Sequence, residues 1–238
     1  GARTSANPFA MNIGKRFWAM DNTDINRMFP GYSLGETTQR IAAALFEQLQ
    51  GYRFGVQMSS YYLTGDYIPH VRMMHTGYEN PELAKGFGLP YTFLRNPKPF
   101  DTTTLNYNWQ IWETQAFSVC AGQPGHIDND SARDIVSATL RFMALHGIIK
   151  CRTHPGYYSE LQLEEELITV KARRAGILYC LVKPDENVRR DQVLARILDP
   201  YDASVRWEAR APEDGTVASV NVEVGKAVVA GDLLVSLN

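Results

Sequence analysis

Asp21-Asn22-Thr23-Asp24-Ile25-Asn26-Arg27-Met28-Phe29-Pro30-Gly31 packs two acids, two amides and an arginine into its first seven positions, then closes on a Pro-Gly turn signal. Two readings are open on these residues alone. Short polar side chains that bond their own backbone would make an Asx-rich surface turn. Alternatively, Asn26 beside Arg27 sets an amide next to a planar guanidinium fork, a pairing that suits a carboxylate held by two parallel hydrogen bonds. Arg16 lies upstream as a second candidate cation.

The order Asp24-Ile25-Asn26-Arg27, then Phe29-Pro30-Gly31, resembles the D-x-N-R-x-F-P-G signature of the succinylglutamate desuccinylase/aspartoacylase family, part of the zinc carboxypeptidase-like group. Asn7-Pro8 and Arg16 fit the same pattern. The resemblance implies a zinc-dependent deacylase or amidohydrolase acting on N-acyl amino-acid-like substrates. It gives Asn26 and Arg27 the substrate carboxylate, and Arg16 the oxyanion of the tetrahedral intermediate. Such relatives carry an H-x-x-E-type motif, with the first two zinc ligands, ahead of this point. No H-x-x-E or H-x-x-D occurs around His70, His75, His126, His146 or His154. The chain is therefore expected to lack the N-terminal part of the family, or to be a short relative.

Two further positions depart from the family. Val56-Gln57-Met58-Ser59, then Pro69-His70-Val71-Arg72, aligns with the family's strand ending in D-L-H and its following P-x-V-R. Ser59 stands where the resemblance places the third zinc ligand, and a neutral hydroxyl is a poor ligand for zinc. Phe117-Ser118-Val119-Cys120 aligns with the strand that ends in the general-base glutamate, and Cys120 takes that place. The alternative is thus a non-catalytic carboxylate-binding protein on the same scaffold, with no assigned metal ligand. Cys120 as a nucleophile would need a nearby base, and a buried inert thiol competes with that reading. His70 and His75, five apart in an extended run, would face opposite ways and make a poor metal pair.

Composition sets the class. With 238 residues and 45% apolar residues, the chain can bury a sizeable core. A net charge of −2 with interspersed signs leaves no footprint for nucleic acid or an anionic membrane. Three widely spaced cysteines predict a reducing compartment, the cytoplasm, and no disulfide framework.

Periodicity predicts the elements. Ser33 and Glu36 are spaced as a capping box for a helix to about Leu49. Strands are expected over Tyr52 to Met58, Tyr91 to Arg95 and Phe117 to Cys120, with a loop over 96–106 that reaches across a site. A helix capped by Asp128 or Asp130 should run to about His146, with Ile135, Val136, Leu140 and Met143 inward. Near Arg152 to Gly156 the pattern turns to short β-type runs. The expectation is an α/β, mixed-sheet carboxypeptidase-like domain over 1–153 and a small all-β domain over 154–238. Ala175 to Ile197 parallels Asp214 to Leu237 at a spacing of about 40 residues, and Ala211-Pro212-Glu213-Asp214-Gly215 resembles the A-P-x-D-G turn of biotinyl/lipoyl barrel-sandwich modules. No lysine lies between Lys183 and Lys226, so no prosthetic arm can attach in the intervening hairpin. A first domain without the family's opening strands would expose a sheet edge or an apolar patch, to be covered by a second copy of the chain or by the missing segment. The partners expected are therefore a small carboxylate-bearing ligand and a homo-oligomer.

Overall fold

The computed structural model describes residues 8–15, 17–60, 65–123, 128–222 and 225–238. Arg16 and His126, both singled out by sequence, lie outside the described residues.

After a short helix α1 (Pro8–Asn12), the polar stretch forms a 3-10 turn at Ile25–Arg27 and leads to α2 (Thr37–Leu49). The cap of α2 sits three residues later than predicted. Gln39 Oε1 reaches back to the Glu36 N–H at 3.0 Å, so Glu36 and Gln39, rather than Ser33 and Glu36, close the box. Gly31 lies against this helix at φ +92°, and a Cβ there would fall 2.1 Å from the Ala43 nitrogen, so only glycine fits.

The strands β1 (Phe54–Ser59), β2 (Asp66–Tyr67), β3 (His70–Met74) and β4 (Tyr91–Arg95) follow, with α3 (Pro81–Ala84) between the last two. Then come α4 (Leu105–Ile111), β5 (Gln115–Cys120), α5 (Asn129–Leu145) and β6 (Glu160–Leu163). Five of these strands make a mixed sheet in the order β1-β5-β3-β4-β6, in which only the β5–β3 pair is antiparallel. The mixed α/β sheet is the expected one. Its last strand, β6, lies past residue 153, so a division at 153/154 cuts off part of the first sheet.

Strand alternation sorts the two faces. Val71, Met73, Phe117 and Val119 turn to the face under α5 and pack with Phe87, Ala138 and Phe142. His70, Arg72, Cys120, Ser59 and Arg95 turn to the other. The helix α5 is rotated from its predicted orientation. Ala138, Thr139 and Phe142 are buried, while Val136 and Leu140 are 51% and 40% exposed. Aromatic packing decides that rotation: the Phe142 ring stacks on Phe87 at 4.2 Å and meets Phe54 and Phe117, each at 5.2 Å. Apolar periodicity alone could not choose between two adjacent stripes.

After a 3-10 turn at Glu164–Glu166, the regular elements of the remaining described residues are strands: β7 (Ile168–Lys171), β8 (Gly176–Cys180), β9 (Asn187–Val188), β10 (Val193–Leu198), β11 (Val205–Arg210), β12 (Gly215–Val220), β13 (Ala227–Val228) and β14 (Leu233–Leu237). They form one sheet in the order β11-β10-β8-β13 and another in the order β2-β12-β14-β7. Between them lies a core that includes Leu178, Leu194, Ile197, Val217, Leu234 and Leu237. The strand β2 ties this unit to the first sheet: Tyr67 pairs with Ser219, and Ile68, Tyr91, Phe93 and Ala218 bury a small apolar cluster at the junction.

Candidate functional site

The stretch 21–31 is pinned onto the segment that opens α4. Asp24 caps the 3-10 turn by accepting the Asn26 N–H at 2.9 Å. Asn26 Oδ1 accepts the Leu105 N–H at 3.2 Å, and the Phe29 N–H donates to the Thr103 carbonyl at 2.9 Å. Asn108, buried in α4, donates to the Phe29 carbonyl at 3.2 Å and to the Thr102 and Thr104 carbonyls. The predicted loop over 96–106 therefore carries structure. It holds a 3-10 turn at Pro99–Asp101 and the first residues of α4, a helix too short for periodicity to show.

Arg27 is partly tied down. Its Nη1 donates to the Phe100 carbonyl at 2.8 Å, the guanidinium stands 5.1 Å over the Phe100 ring, and Asp101 Oδ1 is 3.5 Å away. Asp101 is buried and also meets Arg95 Nη2 at 2.5 Å. Arg95 Nε lies 3.6 Å from Glu164, which is 3.1 Å from Arg72 Nη2. The result is a chain of charges, Arg27–Asp101–Arg95–Glu164–Arg72, with three cations and two anions. Arg27, Arg72 and Arg95 line a cavity of about 100 Å³ together with, among others, Asn26, Ser59, Cys120 and Asn106.

Asn106 is 4% exposed, and its Nδ2 has no acceptor among the described residues. An unanswered buried N–H beside three guanidinium groups favours a ligand with a negatively charged oxygen. Sequence reasoning placed Asn26 and Arg27 here but missed Arg72, Arg95, Asp101, Asn106 and Glu164. The signal available for Arg95 was a charge ending an otherwise apolar strand.

The strand ends supply the rest. Ser59 stands opposite Cys120 in the parallel β1–β5 register, with Oγ and Sγ 3.7 Å apart. Burial raises the Cys120 pKa, against the lowering effects of the Ser59 contact and the Arg72 charge. The thiol is therefore protonated at neutral pH. Alkylation by iodoacetamide at pH 8 should label the exposed Cys151 first and Cys120 roughly tenfold or more slowly. Peptide mass mapping checks this, and equal rates would contradict it. His70 is buried, with Nδ1 2.7 Å from the Ile68 carbonyl, and burial lowers its pKa to about 4. His75 lies beyond the end of β3, where it pairs with Glu79 at 2.5 Å. The two histidines do not share a site.

The mixed α/β sheet thus carries an arginine-lined cavity at its strand ends. The family model of the succinylglutamate desuccinylase/aspartoacylase catalytic domain matches residues 4–146, and the chain belongs to that family. A curated relative, the N-alpha-acetyl-L-2,4-diaminobutyric acid deacetylase of Halomonas elongata, is 27% identical over 93% of this chain and 69% of its own length. Among solved structures, the product-bound ectoine utilization protein EutE (DoeB) of Ruegeria pomeroyi superposes with a TM-score of 0.79 at 18% identity, covering 98% of this chain and 72% of that one. A succinylglutamate desuccinylase/aspartoacylase of Rhodobacter sphaeroides gives 0.77 at 20% identity, with 98% and 73% covered. At these identities the superpositions speak for the fold.

Zinc requires thiolate, imidazole or carboxylate ligands converging on one point. Among the described residues no three His, Cys, Asp or Glu side chains do so. The strand-end pair that faces the cavity is a hydroxyl and a protonated thiol. The described residues therefore do not fit the metal. No described helix is long and apolar enough to cross a membrane.

Proposed function

We propose that this chain binds a small N-acyl amino-acid-like carboxylate in the cavity beside Arg27, and that its described residues hold the ligand without hydrolysing it. The observation that carries this reading is the convergence of Arg27, Arg72 and Arg95 on one cavity with Asn106, whose buried N–H finds no acceptor among the described residues. Asn26 and Arg27 grip the carboxylate. Ser59 and Cys120, in the places of a metal ligand and a general base, supply neither function. The strands from β7 onward act as a barrel-sandwich-like module that shapes the mouth of the site. Three free cysteines support a reducing compartment, the cytoplasm.

Arg27→Gln should weaken binding of an N-acetyl amino acid about ten- to hundredfold, the range for losing one charge-assisted contact. Isothermal calorimetry reads the change, and an unaltered affinity would contradict the role of Arg27. The second reading, a zinc-dependent deacylase with Arg16 steadying the oxyanion, is favoured by the Halomonas elongata relative. Release of acetate from N-acetyl-2,4-diaminobutyrate with zinc supplied, abolished by chelation, would establish it in place of the first.

A further inference from the structure

A second cavity, of about 260 Å³, lies on the same face of the first sheet, beyond the Arg72–Glu164–Arg95 ion pairs and under β12 and β14. Its size approaches the lower end of small-molecule sites, roughly 300 Å³. One wall is apolar: Phe93, Leu167, Ala218 and Leu233 line it. The floor is polar and unusually ordered. Tyr67 donates its hydroxyl to Asn221 Oδ1 at 3.1 Å. Asn221 Nδ2 in turn donates to Ser219 Oγ at 2.9 Å and to Ser236 Oγ at 3.2 Å.

An amide nitrogen carries two hydrogens, and here each goes to one serine oxygen. Each serine still has its own O–H to place, and neither finds an acceptor among the described residues. Both serines are nearly buried, at 6% and 4% exposure, so water reaches them poorly. Two buried serine hydroxyls still able to donate, on a lining that also carries Arg95 and Lys98, suit the two oxygens of a carboxylate. Glu164 and Glu165 also line the space. Glu164 is already bound to Arg72 and Arg95, and Glu165 Oε1 accepts the Asn96 N–H at 2.7 Å. His70, at the same wall, is uncharged at neutral pH.

We propose that this cavity is a separate binding site for a small monocarboxylate with an apolar body, its oxygens on Ser219 and Ser236 and its body against Phe93, Leu167 and Leu233. The site shares Arg95 with the cavity at Arg27, but the groups that hold its ligand, Ser219 and Ser236, line the second cavity.

Benzoate and its neutral isostere benzamide test this, titrated by calorimetry into the full chain. Benzoate should bind, and benzamide should bind at least tenfold more weakly. The double variant Ser219→Ala/Ser236→Ala should weaken benzoate at least tenfold. Asn221→Asp should do the same while keeping the floor packed, because a carboxylate accepts from both serine hydroxyls and turns them away from the ligand. No benzoate binding, equal affinity for benzamide, or indifference to both floor variants would each overturn the proposal.

Discussion

An Asp101→Ala variant loses about 3–5 kcal/mol of stability, the usual cost of stripping one partner from a buried ion pair. Asp101 is 1% exposed and Arg95 is 5% exposed. The carboxylate holds Arg95 at one oxygen, lies 3.5 Å from Arg27, and takes the Lys98 N–H at 2.8 Å through the other. Without it, Arg95 keeps only Glu164 at 3.6 Å, too long for a good hydrogen bond. Two more consequences follow from the same change. The 3-10 turn at Pro99–Asp101 loses the side-chain cap on its Lys98 N–H, and Arg27 loses the neighbouring charge at 3.5 Å. Urea unfolding monitored by circular dichroism measures the loss. A change below about 1 kcal/mol would mean that water already screens the pair.

Phe142→Ala should cost a similar amount, about 3–5 kcal/mol, through lost burial and the cavity left behind. Four rings converge on this position. Phe142 is 1% exposed, lies parallel to Phe87 with an interplanar angle of 11°, and also contacts Phe54, Phe117 and His146. Leu140→Ala, two residues earlier on the same helix, should cost less than about 1 kcal/mol because that side chain is 40% exposed. Comparing the two variants by denaturant midpoint reads the rotation of α5 directly. The reverse ranking would restore the orientation expected from apolar spacing.

The contrast between these positions shows what the sequence could and could not tell. Strands with a strong β-type run were legible: β4 occupies Tyr91–Arg95 as predicted, and β5 only adds Gln115 and Ala116 at its start. The cap of α5 at Asp128 was legible because a carboxylate preceding an apolar period has a local job, and it accepts the Asp130 and Ser131 N–H groups. The facing of α5 was not, because Val136 and Leu140 are as apolar as the buried residues beside them. Asn26 and Arg27 were legible by their neighbours in the motif. Their partners were not: Phe100, Asp101 and Leu105 come from more than 70 positions away. The ion chain depends on β3 and β4 lying side by side, which places Met74 opposite Arg95 and sets Arg72 near it. No local pattern announces that pairing. The covering of the sheet by β12 and β14 was equally hidden, since Asp66 and Tyr67 joined them from a two-residue strand.

The most direct test of the carboxylate site compares one ligand with and without its charge. An N-acetyl amino acid and the same molecule with its carboxylate converted to a carboxamide would be titrated into the wild-type chain under identical salt. The carboxylate form should bind at least ten times more tightly, and the preference should fall as salt screens the arginines of the cavity. Equal affinities for the two forms would contradict it.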